Sequence, residues 1–345
     1  MRIKILLGLL VLVAAVALVA VAGAGKPGPG ISTGSAQVFV PNPVQSLGRE
    51  DLTDQKDSDA AVPAQAYVPV TLTNLDGSGF LRGDYADVYS STGDLAYSPS
   101  NVFAYTRSDD RFEQVMAYFW MTEAEKYIQS LGFGSRLPAI NDEPQNARIN
   151  QLGYDNSFET DHPKDELRFG KGGVDDAEDG EVILHEYGHA IHQSQGFNFA
   201  PEENGAISEG FGDYWAVTVS DIVAHRLGVK ELEPLACVAD WDSTSYTNGP
   251  VHCLRRLDGN LKYPGGLNGE VHHDGTIWSR ALWDIRNGLP TPEEADKIIL
   301  QGTNGYTGTT MPDLANRTVD AAMSLYGPSA RNVVRQAFVD RGILH

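Results

Sequence analysis

Basic residues are scarce in this 345-residue chain: 26 Lys and Arg stand against 46 Asp and Glu, a formal net charge of −20. A surface of that sign repels a phosphate backbone, and no Lys/Arg cluster interrupts it, so nucleic acid is excluded as an expected partner. Cysteine is nearly absent, with only Cys237 and Cys253, and no CxxC pair or Cys/His cluster occurs. A thiol-redox centre and a structural zinc knot are therefore not supported. Internal repeats are also lacking. What remains is a globular composition, 41% hydrophobic and 9% aromatic, with enough apolar content for a sizeable core.

One long uncharged run exists, residues 5–24, preceded by Arg2 and Lys4 and followed by the Pro/Gly stretch 26–30. Its order is that of a secretory signal, with Ala20-Val21-Ala22 or Ala22-Gly23-Ala24 as the cleavage site. Removing residues 1–24 leaves 24 basic against 46 acidic residues, a net charge of −22. The alternative is an uncleaved membrane anchor, since twenty uncharged residues just span a bilayer. Both readings expect the rest of the chain outside the cell, secreted or anchored. In an oxidising compartment Cys237 and Cys253, enclosing 15 residues, could form a disulfide worth roughly 3 kcal/mol. Two free thiols are the other reading.

Residues 25–110 alternate in short runs such as 37–40 and 67–72, broken by Pro, Gly and Asp, which predicts a β-rich region. The polar stretch 49–59 reads as an exposed loop, with a calcium loop as the alternative. Apolar spacing over 112–131 predicts a helix whose aromatic stripe, Phe112, Phe119, Trp120 and Tyr127, is assigned to packing. After turns, short strands and an acidic loop, Asp175-Asp176-Ala177-Glu178-Asp179, helices are expected at 181–195, 203–227, 276–287, 292–301, 312–326 and 330–340. The fold class is α+β, with a helical lobe over 203–345 inside a domain spanning 111–345.

Inside the helix at 181–195 stands His185-Glu186-Tyr187-Gly188-His189, an HExxH sequence. Residues i and i+4 share a helix face, so the two imidazoles can reach one metal ion. Glu186 projects beside them, placed to take a proton from a water attacking a carbonyl carbon. A third ligand is offered by Glu209, 20 residues after His189, in Gly205-Ala206-Ile207-Ser208-Glu209-Gly210-Phe211-Gly212-Asp213. Asp213, one turn further on the same face, could hydrogen-bond the outer nitrogen of a ligand histidine. His192 is read as solvent-facing or packing, because an HExxHxxGxxH pattern would need Gly at 192 and His at 195.

HEYGHA followed by a distal Glu in GAISEGFGD resembles the zinc metalloendopeptidases of the thermolysin and fungalysin families, over roughly residues 112–345. The segment Val271-His272-His273-Asp274-Gly275-Thr276-Ile277-Trp278 is similar to the fungalysin VHxxGxxW segment, and Val38-Phe39-Val40-Pro41-Asn42-Pro43 and Leu75-Asp76-Gly77-Ser78-Gly79 resemble the entry region of bacterial fungalysin-like proteins. The resemblance implies a thermolysin-like, two-lobed fold with an active-site helix across the cleft. It implies Zn²⁺ on His185, His189 and Glu209, structural Ca²⁺ in carboxylate-rich loops, and protein or peptide substrates. It further implies that His272 stabilises the oxyanion, with Glu186 as the base. Asn156 and Ser157, in a sequence like the Asn-Ala-Phe edge strand, would bind substrate backbone, and Arg255 of Leu254-Arg255 a substrate carbonyl.

The departures are specific. The position of the family's oxyanion-assisting tyrosine is Ala200, and the aspartate expected before the catalytic histidine is Leu267, leaving Asp258 or Glu270 to orient His272. His273 competes with His272 for the role. Rival functions are a zinc aminopeptidase, which shares HExxH and a distal Glu but usually at a shorter spacing, and a cell-surface binding protein that keeps the fold without catalysis.

Overall fold

Alternating apolar and polar residues form short strands rather than long ones between Ser32 and Phe103, because Pro, Gly and Asp interrupt them. The computed structural model describes residues 32–53, 56–162 and 165–345. The apolar run at 5–24, on which the export reading rests, lies outside the described residues. Strand β1 (Ser32–Val38) leads into the single-turn helix α1 (Pro43–Leu47), then β2 (Val68–Leu75), β3 (Ala86–Ser90) and β4 (Val102–Phe103). β1 lies between antiparallel β2 and parallel β4.

Helix α2 (Arg111–Ser130) follows and buries Phe112, Phe119, Trp120 and Tyr127, so the aromatic stripe is core. Gly132, at φ 102, turns the chain out of it. Strands β5 (Gln145–Leu152), β6 (Phe158–Thr160) and β7 (Glu166–Gly170) then join β3 in a second sheet of order β3-β5-β7-β6. The first three are parallel and β6 is the antiparallel edge. Asn156 and Ser157, expected within an edge strand, stand just before it, because pairing with β7 begins at Phe158.

The acidic loop that precedes the next helix is buried instead of solvated. Asp176 is 2% exposed, and Glu178 and Asp179 are fully covered. Glu178 meets the buried guanidinium of Arg107 at 2.7 Å. Asp179 accepts from Asn42 at 3.0 Å and caps α3 (Gly180–Ser194) by accepting from the Glu181 amide at 3.0 Å.

Helix α4 (Glu202–Leu227) is the central element, buried on most sides from Asn204 to Ala224. The two-residue strands β8 (Cys237–Val238) and β9 (Arg255–Arg256) come next, followed by α5 (Val271–Gly288), α6 (Pro292–Thr303), α7 (Met311–Tyr326) and α8 (Pro328–Asp340). α5 starts at Val271 and not near 276 as expected. Its polar first turn has no apolar periodicity to announce it, but the Glu270 carboxylate caps it by accepting from the amides of His272 and His273 at 3.1 and 2.7 Å.

Glycine fixes how closely these helices cross. A Cβ on Gly188 of α3 would lie 2.9 Å from Gly212 Cα of α4, and one on Gly210 would lie 2.3 Å from the Gly275 carbonyl of α5. The paired glycines bring the three helices into near-backbone contact, and the site side chains flank these crossings. Among the described residues, no helix is long and apolar enough to cross a membrane.

Candidate metal centre and cleft

His185 and His189 project from one face of α3, their rings perpendicular with centroids 4.9 Å apart. Glu209 reaches them from α4: Oε2 lies 3.3 Å from His185 Nε2 and Oε1 lies 3.6 Å from His189 Nε2. Their donor atoms all fall within 4.8 Å of one another. Glu209 Oε2 is also 3.4 Å from His272 Nε2 and 3.9 Å from Arg255 Nη2, yet this buried oxygen completes no hydrogen bond. The atoms converge on a common point instead of pairing, which is the geometry of a ligand set. Two imidazoles and a carboxylate with an open side fit Zn²⁺.

The outer nitrogens are held as well. His185 Nδ1 lies 3.0 Å from Asp213 Oδ1, and Asp213 in turn accepts two 2.6 Å hydrogen bonds from Arg255. Arg255 is therefore already engaged with Asp213 as it lines the cleft. Its place on β9 is fixed by pairing with Val238 of β8 and by the Cys237–Cys253 disulfide, which joins the same two segments. His189 Nδ1 lies 2.8 Å from Ser208 Oγ, which is 3.1 Å from His192 Nδ1. His192 is a packing histidine, stacked between Phe197 and Phe211 at 4.4 and 4.3 Å. Burial pulls its pKa well below the usual value, with the charge of His189 adding to the effect, so it is neutral. A Ser208 Oγ that accepts from His189 Nδ1–H would leave the His189 Nε2 lone pair facing Glu209.

Electrostatics separate the roles of the two glutamates. Burial works to raise Glu209, but His189, His185 and Arg255 together hold it below the usual carboxylate range. Glu186 is pushed up to about 8 by burial, opposed by His185 and reinforced by Glu209 and Asp176. Its Oε2 is buried without a hydrogen-bond partner. An unpaired carboxylate beside a ligand set is in position to hold or move a proton.

His272 sits on the first turn of α5 with about half its side chain exposed, and Glu270 holds its Nδ1 at 2.6 Å. Of the two candidate orienting groups it is Glu270 that makes the contact, since Asp258 pairs with Arg256 at 2.7 Å. His273 turns to Asp274 at 3.0 Å and does not line the cleft. The cleft comprises two adjoining cavities, of about 510 and 960 Å³, which share Asn156, Ser157, His185, Glu186 and His272. Ala200 lies on the wall of the larger. Ser157 does not face the cleft freely, because its hydroxyl donates to Asp176.

Sequence reasoning missed Ser208, Asp155 and Asp242, and offered Asp176 only within the loop 175–179 as a calcium candidate; the oxygens of Asp155, Asp176 and Asp242 come within 4.8 Å of one another. Ser208 was legible only as the neighbour of Glu209. The three aspartates come from separate segments, and no spacing rule joins them.

No family model and no curated protein sequence matches the chain. Among solved structures it is similar to the precursor of protealysin, a metalloproteinase from Serratia proteamaculans, with a TM-score of 0.59 and 16% identity over 75% of this chain and 87% of that one. With its β-rich N-terminal part and helical C-terminal region, the chain has the α+β fold of the thermolysin-like metalloproteases.

Proposed function

We propose that this chain is an exported zinc-dependent endopeptidase resembling bacterial fungalysin-like proteins. The observation that carries the reading is the unpaired Glu186 carboxylate beside the converging atoms of His185, His189 and Glu209, in an open cleft. Zinc bound there supplies Lewis-acid polarisation and lowers the pKa of a water to roughly 7. Glu186 takes the proton of the attacking water and passes it to the leaving amine. His272 Nε2 donates to the developing oxyanion, an interaction worth on the order of 3 kcal/mol, and Glu270 keeps its ring in the required orientation. The free edge of β6 and the backbone at Asn156 hold an extended peptide by strand addition. Arg255, fixed by Asp213, faces a substrate carbonyl. A purely structural zinc site closes all its positions with protein ligands and has no use for Glu186.

The test is zinc content and casein cleavage by the purified protein, beside Glu186→Gln. The variant should keep one zinc and lose activity by about 10²–10⁴-fold. Unchanged turnover would sink the mechanism, and absence of zinc in the wild type would sink the ligand set. Cleavage inside an N-terminally blocked peptide separates an endopeptidase from an aminopeptidase.

A further inference from the structure

The smaller cavity, of about 510 Å³, is lined by Glu186 and Arg255 but not by His189 or Glu209. Its wall carries Asp155, Asp176 and Asp242, carboxylates from the approach to β6, the loop before α3 and the segment after β8. Asp176 and Asp242 are 2% and 3% exposed. Each has one oxygen tied down: Asp176 Oδ2 accepts from Ser157 and from the Gly170 amide at 3.3 Å, and Asp242 Oδ2 accepts from Tyr246 at 2.5 Å. The other oxygen of each, Oδ1, is buried with no hydrogen-bond partner.

Buried acceptors left without donors are destabilising, the more so when charged, so the two oxygens call for a donor from outside the cluster. The cations nearby are committed elsewhere. Arg255 is bound to Asp213, and Lys171 lies within 3.3 Å of Asp57, Asp110 and Asp175. Glu181 and Glu186, which also line the cavity, supply no positive charge. Burial accordingly pushes Asp155 up to about 6, with the charge of Asp175 adding to the effect, and Asp176 up to about 7, and raises Asp242, with repulsion from Asp155 contributing to the last two.

We propose that Asp155, Asp176 and Asp242 form a subsite for the ammonium or guanidinium group of a lysine or arginine in the peptide substrate, at the residue that supplies the leaving amine. The inference rests on the peptidase reading. Glu186, which returns its proton to the leaving nitrogen, lines both cavities, but Arg255, which faces a substrate carbonyl, lines only the smaller one, and together they put the residue bearing that nitrogen at this cavity. A cavity of this volume, open to the cleft and walled by carboxylates at one end, suits a long side chain with a cationic tip rather than a bare ion enclosed by ligands.

The test uses two blocked, internally quenched peptides identical except for lysine or norleucine just after the cut. The wild type should favour lysine in kcat/KM on the order of 10-fold or more, and Asp176→Asn/Asp242→Asn should bring the ratio close to one. Asp155→Asn, at a half-exposed position, serves as the second variant if the double variant melts early. Binding of the same peptides to Glu186→Gln gives a readout independent of turnover. Lysine-selective binding with no cleavage would keep the subsite and overturn the peptidase. Charge-blind cleavage and binding would overturn the subsite alone. Stoichiometric Ca²⁺ binding that depends on Asp176 and Asp242, with a lysine/norleucine ratio near one, would also overturn it in favour of a metal site.

Discussion

Two carboxylate clusters line the same cleft and are treated oppositely. Around the candidate zinc centre the two acids that frame the histidines, Asp213 and Glu270, each meet a partner. Burial works against the ionised form of Asp213, but Arg255 and His185 hold it below the usual range. Desolvation works to raise Glu270, but its bonds with His272 and with the amides of His273 and His272 together hold it down to about 2. On the wall of the smaller cavity, Asp155, Asp176 and Asp242 have hydroxyls and an amide but no cation, and all three are raised. All are carboxylates, and Asp213 is as buried as Asp176 and Asp242 while Glu270 is exposed, so for the buried acids the difference lies in the partners. The first cluster is a frame that is complete within the chain, while the second is incomplete until something positive arrives from outside.

Substitutions should therefore act with opposite signs in the two places. Asp213→Asn leaves the Arg255 charge nearly buried without its carboxylate, a loss of about 3–5 kcal/mol, and removes the anchor of His185, which should weaken zinc by 10–100-fold. Calorimetry and competition with a chelator measure both. An unchanged melting temperature would show that the frame does not depend on this pair.

Asp176→Asn should do the reverse. A carboxyl raised from an unfolded value near 3.8 to about 7 favours the folded state while protonated, and that contribution is present below pH 4 and lost as pH rises through about 7. The wild type should thus lose stability across this window, and the variant should melt a few degrees higher at pH 8 while matching it at pH 4. A basic peptide that fills the cavity should flatten the wild-type pH profile. If Asp176→Asn melts lower at pH 8, the cluster is compensated after all.

The contrast also marks what the sequence could reveal. The first cluster was legible because its members are local: His185, Glu186 and His189 share one helix turn, and Glu209 and Asp213 share another, so spacing alone puts them on common faces. The glycines that bring those faces together lie inside the same motifs, as in HEYGH and EGFGD. The second cluster is assembled from three segments, and each aspartate looks like an ordinary loop residue. The burial of the 175–179 loop was hidden for the same reason, since Arg107 and Asn42 reach it from 71 and 137 residues away. The first turn of α5 was missed because a cap, and not an apolar stripe, defines it.

Within the frame itself the two histidines are anchored differently, and this gives the smallest predicted effect. His185 leans on a carboxylate, whereas His189 leans on the hydroxyl of Ser208, itself passed on to the buried, neutral His192. Neutral hydrogen bonds of this kind contribute about 0.5–1.5 kcal/mol, and 1.4 kcal/mol is a factor of ten in affinity. Ser208→Ala should therefore weaken zinc by less than about 10-fold, well short of Asp213→Asn. Ser208→Thr, which keeps the hydroxyl, should restore part of that loss. A loss in Ser208→Ala as large as that in Asp213→Asn would mean that the hydroxyl does more than orient the ring, and that the chain through His192 carries the tautomer choice for the whole centre.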